Sequence, residues 1–132
     1  MEADFRSIPG LKAGSSLAAL QYHAVKLDTT ENQVVPITDG NAERPIGILQ
    51  NDPANGEAAL VAYDGICKAE CGGVITFGAT LVSDNDGGLI VDVEVVDGTA
   101  VDIHHIATAL QAGVDTEVIL VLLHTPIRIG KE

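Results

Sequence analysis

Short apolar runs rich in β-branched residues alternate along this chain with turn-forming pairs that contain glycine. Such pairs supply the positive backbone φ angles that tight turns require. Several short strands at this spacing predict an all-β barrel or sandwich rather than βαβ units. The pairs are Asp39-Gly40, Asn55-Gly56, Asp64-Gly65, Gly72-Gly73, Asp86-Gly87-Gly88, Asp97-Gly98 and Ala112-Gly113.

The apolar runs between these turns are predicted as strands. Residues 89–96 alternate most clearly, since Val91, Val93 and Val95 are opposed to Asp92 and Glu94. Residues 58–63 are continuously apolar up to Tyr63, as expected of a strand that is covered on both faces. The other predicted strands are residues 22–27, 33–37, 46–50, 66–71, 80–83, 105–109 and 117–123.

The two ends of the chain differ from the middle. Residues 1–16 carry sparse apolar side chains before the strand rhythm begins, which predicts an extended N-terminal arm. Residues 17–124 are the predicted β domain, with at most one short helix, at residues 17–20 after the possible N-caps Ser15 and Ser16. Pro126 interrupts the last strand, so residues 125–132 are predicted as a C-terminal tail. Frayed termini are the simpler alternative for both ends.

Length and charge narrow the classes of function. With 132 residues the chain is expected to form one domain. Its net charge of −12, from 19 acidic and 7 basic residues, repels phosphate backbones and anionic lipid, so neither nucleic acid nor a membrane is an expected partner. No secretion signal or run of about 20 apolar residues is evident, and synthesis in the cytoplasm is expected. Aromatic residues make up only 3 %, which leaves few platforms for stacking bases or sugars.

The residue types that carry catalysis do not form a recognisable pattern. The four histidines, His23, His104, His105 and His124, stand outside any CxxC or HExxH spacing, and no serine lies in a GxSxG elbow. The sequence therefore predicts no catalytic, cofactor-binding or metal-binding residues, and a structural or binding protein rather than an enzyme.

Two smaller features receive structural interpretations. Cys67 and Cys71 would lie roughly 13 Å apart on an extended strand, beyond disulfide reach, and are predicted to be buried thiols. Residues 84–88 resemble part of a calcium loop, but Val95 stands where the bidentate glutamate would be, so a simple turn is expected.

Four segments, in order over roughly residues 14–124, resemble the small head-decoration (cement) proteins of tailed phages. The departures from that family are the charged stretch at residues 92–102 and the tail after Pro126. The matching segments are QYHAVKLD at 21–28, PIGILQN at 45–51 with Pro53 and GEA at 56–58, GG at 72–73 leading to GATLVSD at 78–84, and IATALQAG at 106–113 followed by residues 117–123.

The resemblance implies a compact β-barrel or β-tulip domain that forms a homotrimer on the outer surface of the virion. Its partner would be the major capsid protein, and its function would be to clamp neighbouring capsid subunits against the pressure of packaged DNA. We expect the arm to bind the capsid through apolar anchors and the tail to make further contacts. The predicted arm contacts are Phe5, Ile8, Pro9 and Leu11, and the predicted tail contacts are Ile127 and Ile129.

Two alternatives remain open from the sequence. One is an adhesion or carbohydrate-binding β module on a virion or cell surface, which the scarcity of aromatic residues disfavours. The other is a small β-barrel enzyme or carrier domain, which would need a polar pocket holding a histidine or Lys68.

Overall fold

The computed structural model describes residues 1–40, 42–91 and 103–129, and in these ranges all regular structure is β. The predicted all-β class is therefore confirmed. The strands are β1 (Asp4–Ser7), β2 (Lys12–Ala13), β3 (Ala24–Leu27), β4 (Gln33–Pro36), β5 (Gly47–Leu49), β6 (Val61–Glu70), β7 (Thr80–Ser83), β8 (Leu89–Val91), β9 (Ile103–Ala109) and β10 (Val118–Ile129).

These strands form one sheet with the order β2-β4-β3-β5-β6-β10-β9-β7-β8, and β1 pairs with β6 outside that order. All pairs are antiparallel except β2 with β4. Antiparallel neighbours need only short connections, which agrees with the closely spaced glycine turns of the sequence.

Strands β3, β5 and β6 form a wall that two hydrophobic cores share. Ala24, Ile48 and Ala62 lie side by side across the three strands and face the larger core, which also contains Cys67 and Val121. Because neighbouring residues of a strand point to opposite faces, the residues beside these three face the other way.

The opposite face of the wall belongs to the smaller core. Val25, Leu49 and Val61 pack there with Leu11 and Val34. The wall strands thus have both faces buried at these positions. Of the run at residues 58–63, Ala59, Val61 and Ala62 are buried, whereas Ala58, Leu60 and Tyr63 are exposed, so the predicted cover on both faces holds for only part of the run.

Each end of the sheet curls back onto the middle through isolated bridges. Cys71, just after β6, bridges Leu89 of the edge strand β8 in parallel. Lys12 of the edge strand β2 bridges Ala58, which precedes β6. The sheet therefore wraps around one core on each side of the wall.

Strand β6 is the hub, because it pairs with β1, β5 and β10. Gly65 lies in the middle of this strand with a φ of +96°, a conformation that glycine tolerates best. A Cβ there would lie 2.4 Å from the carbonyl oxygen of Asp4, so β1 can approach β6 only because the residue is glycine. The sequence pair Asp64-Gly65 predicted a turn, and this was wrong: the same positive φ bends a continuous strand.

Two side-chain amides form, with the backbone of β6 and of the segment before it, the pair of hydrogen bonds that a neighbouring strand would form. The Gln50 side chain donates to the carbonyl oxygen of Lys68 (2.8 Å) and accepts from its N–H (3.3 Å). The next residue, Asn51, donates to the carbonyl oxygen of Ala58 (3.0 Å) and accepts from the N–H of Leu60 (2.9 Å). Backbone groups that lack a strand partner at these positions are therefore satisfied.

The loop at residues 84–88 is a turn, as predicted. The Asp84 carboxylate accepts hydrogen bonds from the N–H groups of Asp86 (2.8 Å) and Gly88 (2.9 Å). The Gly87 carbonyl accepts from the N–H of Ala24 (2.7 Å), which holds the turn against the first wall strand.

Other local predictions have mixed outcomes. Both cysteines are free and buried, as expected, and burial raises the pKa of Cys67 to about 12. Residues 17–20 form a turn, closed by the N–H of Leu20 and the carbonyl of Leu17, and the short helix suggested there is absent. The strand predicted at residues 89–96 is described as far as Val91, and the rest lies outside the described residues.

No helix in the described ranges is long and apolar enough to cross a membrane.

Replacing Gly65 should lower the free energy of unfolding more than replacing a glycine that has a similar positive φ but open space around its Cβ position. Gly56 is the control, since its φ is +84° and a Cβ there meets nothing within 4 Å. We expect Gly56→Ala to lower the free energy of unfolding by about 1 kcal/mol through strain alone. Gly65→Ala should cost at least about 2 kcal/mol more, because β1 must also move. Urea unfolding measures both, and equal losses would contradict the close approach of β1.

Glu43 fastens the segment after β4 to β3. Its carboxylate accepts hydrogen bonds from the N–H groups of Thr38 (2.6 Å) and Asp39 (2.8 Å) and pairs with the Lys26 ammonium group. Burial raises the pKa of Glu43, but the hydrogen bond from Lys26, the two backbone hydrogen bonds and the charge of Lys26 outweigh it. The pKa therefore falls from 4.5 to about 2.

The lowered pKa predicts a loss of stability in acid. The unfolded chain binds the Glu43 proton at higher pH than the folded chain, so this contribution is complete above pH 4.5 and disappears as the pH falls to about 2. The difference in free energy of unfolding between the wild type and Glu43→Gln should shrink over that range. Glu31→Gln, at an exposed position, is the control. A difference independent of pH would show that the charge of Glu43 is unimportant.

Candidate interaction surface

The histidine that lies deepest in the described residues has a structural role. His23 is buried, with Nδ1 2.7 Å from the carbonyl oxygen of Asp86 and Nε2 2.8 Å from a carboxylate oxygen of Glu70. Both ring nitrogens are therefore engaged in holding the 84–88 turn against the end of β6. Within residues 1–40, 42–91 and 103–129, no three potential metal ligands lie together.

The four arm residues predicted to bind a capsid lie along the body of the protein itself. Leu11 is buried in the smaller core, and Ile8 packs against that core. Phe5, on β1, packs against the larger core. Pro9 alone of the four is exposed, at the start of a turn with Gly10 (φ +81°). A partner can reach Pro9 directly, and the role of the four in binding stays a prediction.

The predicted tail contacts lie on β10. Ile127 and Ile129 are opposite His105 and Ile103 of β9, after a register shift that begins at Leu123. Residues 125–129 thus continue the strand beyond the interruption that Pro126 predicted. The side chains of Ile127 and Ile129 lie outside the described residues, as does the rest of the tail from residue 130, and their contacts stay a prediction.

A groove runs between the N-terminal residues and the outer face of β10. Met1, Tyr22, Lys68 and Val118 are among the residues that line its volume of about 640 Å³. The Lys68 ammonium nitrogen lies 5.9 Å from the centroid of the Tyr22 ring, a cation–π contact. One face of the aromatic ring is therefore already occupied, which disfavours stacking of a sugar on that face.

A second exposed surface, which the sequence pattern did not predict, lies on two loops that pair with each other. Val74, Phe77 and Val114 are 72 %, 74 % and 53 % exposed, and we call these three residues the apolar loop end. Val74 and Phe77 belong to the loop between β6 and β7, and Val114 belongs to the loop between β9 and β10. The sequence signal for this surface was the Phe77-Gly78 pair, which places an aromatic side chain at the tip of a turn.

The two loops are fixed to each other by backbone hydrogen bonds. Ile75 and Gly113 exchange both of theirs, at 2.8 and 3.0 Å. Because these two residues form an antiparallel pair, Val74 and Val114 lie opposite each other one position further along. Gly78, with a φ of +82°, completes a turn that begins at Thr76.

Carboxylates border the apolar loop end. Asp115 and Glu117 are exposed on the same loop as Val114, and Glu117 caps that loop by accepting the Val114 N–H at 2.8 Å. Burial raises the pKa of the Cys71 thiol, and the negative charges of Glu117, Glu70 and Asp115 raise it further. Asp115 and Glu117 therefore place negative charge on the loop that carries Val114.

Comparison with known proteins gives one informative similarity. No protein-family model matches the chain, and no curated protein matches it. Among solved structures, the chain is similar to the crystal structure of the N base of head fiber gp8.5 in bacteriophage phi29. The TM-score is 0.65 at 13 % sequence identity, over 94 % of this chain and 98 % of that chain. The similarity therefore extends over nearly the whole domain, and at this identity it establishes the fold.

Because the arm residues pack on the body, truncating the arm would damage the fold, whereas a point substitution can separate packing from binding. We expect Leu11→Ala to lower the free energy of unfolding by about 2–5 kcal/mol, since it leaves a cavity in the smaller core. Pro9→Ala should change it by about 1 kcal/mol or less. Urea unfolding of both variants tests this packing, and a Leu11→Ala protein as stable as the wild type would contradict it.

Proposed function

We propose that this chain is a non-catalytic decoration protein of a tailed-phage head. It binds the major capsid protein on the outer surface of the shell as a homotrimer and stabilises the shell against the pressure of the packaged DNA. Neither nucleic acid nor a membrane is a partner in this proposal.

The observation that carries the proposal is the similarity in fold, over nearly the full length of both chains, to the base of a phage head fiber. The sequence resemblance to head-decoration proteins points to the same location from other evidence. Both support an association with a phage head, and the outer-surface location and the decoration role are the more specific steps that we add.

The architecture suits a mechanical role. The centre of the wall is buried on both faces by close-packed side chains, and such an interior has low compressibility and transmits strain. If the three subunits of one trimer bind adjacent capsid subunits at once, each contact raises the effective concentration of the others. Opening the shell then requires several contacts to break together.

A net charge of −12 also suits an outward-facing protein. Mutual repulsion between acidic surfaces keeps such a protein soluble at high local concentration. Close packing of many copies on a shell is therefore tolerated where the contacts themselves are apolar or of opposite charge.

Mass measurement followed by co-sedimentation tests the proposal. We expect a particle of about three times 13.7 kDa in solution, and saturable binding to heads of the encoding phage that have been stripped of this protein. Occupied heads should release DNA at a higher temperature than stripped heads. A monomer, or a failure to sediment with heads, would contradict the proposal, and binding to a glycan array instead would favour the carbohydrate-binding alternative.

A further inference from the structure

The apolar loop end has the properties of a preformed binding surface. Val74 and Phe77 are among the most exposed large apolar side chains of the described residues, and Val114 faces Val74 across the two loops. Exposed apolar side chains grouped on neighbouring loops of a soluble protein mark an interaction site more often than scattered single residues do.

Backbone hydrogen bonds hold this surface in place before any partner arrives. Besides the Ile75–Gly113 pair, the Gly78 N–H donates to the carbonyl of Ala109 at 2.8 Å, and the Thr116 N–H donates to the carbonyl of Cys71 at 2.8 Å. A Cβ on Gly113 would lie 2.8 Å from the Cys71 sulfur, which shows how closely the loops approach. Binding therefore needs little further ordering of the loops, and less free energy is lost on association.

The surrounding charge selects among possible occupants. Asp115 and Glu117 are exposed on the same loop as Val114 and border the apolar side chains. Two copies joined through this end would bring their carboxylates together, which costs free energy. Anionic lipid would be repelled in the same way. A partner whose apolar pocket is bordered by lysine and arginine side chains is instead attracted.

We propose that the apolar loop end is the surface by which this protein seats on the capsid subunit, with Phe77 inserted into an apolar pocket that basic side chains border. This inference rests on the proposed function and adds to it the binding surface and the chemistry of the partner. The arm residues then mainly complete the fold of the domain.

Substitutions in the apolar loop end test this proposal, and the quantity measured is the affinity of each variant for stripped heads of the encoding phage. Phe77→Ser should weaken binding at least about tenfold, since exposed aromatic anchors dominate such interfaces. Val74→Ser, a second and smaller truncation, should weaken binding by less. Because both side chains are more than 70 % exposed, we expect both variants to unfold at the same temperature as the wild type.

Matched controls separate the seat from general effects. Leu27→Ser removes an apolar side chain that is 54 % exposed on β3, away from the two loops, and should leave binding unchanged. Asp115→Asn should reduce the dependence of binding on salt, whereas Glu31→Asn, at another exposed acidic position, should not.

The possible outcomes are distinguishable. If the wild type does not bind heads, the proposed function fails and the inference fails with it. If the wild type binds and Phe77→Ser binds equally well, the decoration function stands and the seat is wrong. The proposed capsid contact at Phe77 is also wrong if Phe77→Ser still binds heads but no longer forms trimers in sedimentation velocity. It is equally wrong if Phe77→Ser still binds heads but loses binding to vesicles of phosphatidylcholine and phosphatidylglycerol.

Discussion

The fold depends on one constraint, which is that three strands must bury both of their faces where they lie side by side in the wall. In β3, β5 and β6, adjacent residues such as Ile48 and Leu49 enter different cores, and each buried aliphatic side chain contributes about 1.5–3 kcal/mol. A polar residue at any of these positions would be buried on one side or the other. The wall also couples the two cores, because a shift of one strand displaces side chains in both.

The wall determines where the surface loops lie. The 84–88 turn is held to the first wall strand by the Ala24–Gly87 hydrogen bond, and His23 ties the same turn to Glu70 at the end of β6. The loop that carries Phe77 leaves β6 just beyond that point, after the Cys71–Leu89 bridge. A rigid interior thus supports an exposed apolar surface that is itself held by backbone hydrogen bonds.

Sequence patterns predicted the strands well and the surfaces poorly, for physical reasons. Glycine pairs and alternating apolar residues indicate strands and turns because both depend on local geometry. Gly65 was misassigned because a positive φ serves a tight turn and a bent strand equally well. The sequence could not show that Leu11 packs in the smaller core, because an apolar residue in an irregular segment looks the same whether it packs on its own domain or on another. The exposure of Phe77 was not predicted, because whether a side chain is exposed depends on the tertiary structure.

The side-chain amides of Gln50 and Asn51 have a consequence for association between copies of the chain. Unpaired strand edges are templates for edge-to-edge aggregation, and natural sheets cover them by several devices. Here each amide matches one N–H and one carbonyl, so backbone groups of Lys68, Ala58 and Leu60 are occupied within the same molecule. A neighbouring copy therefore finds these backbone groups already paired, which disfavours edge-to-edge polymerisation through them.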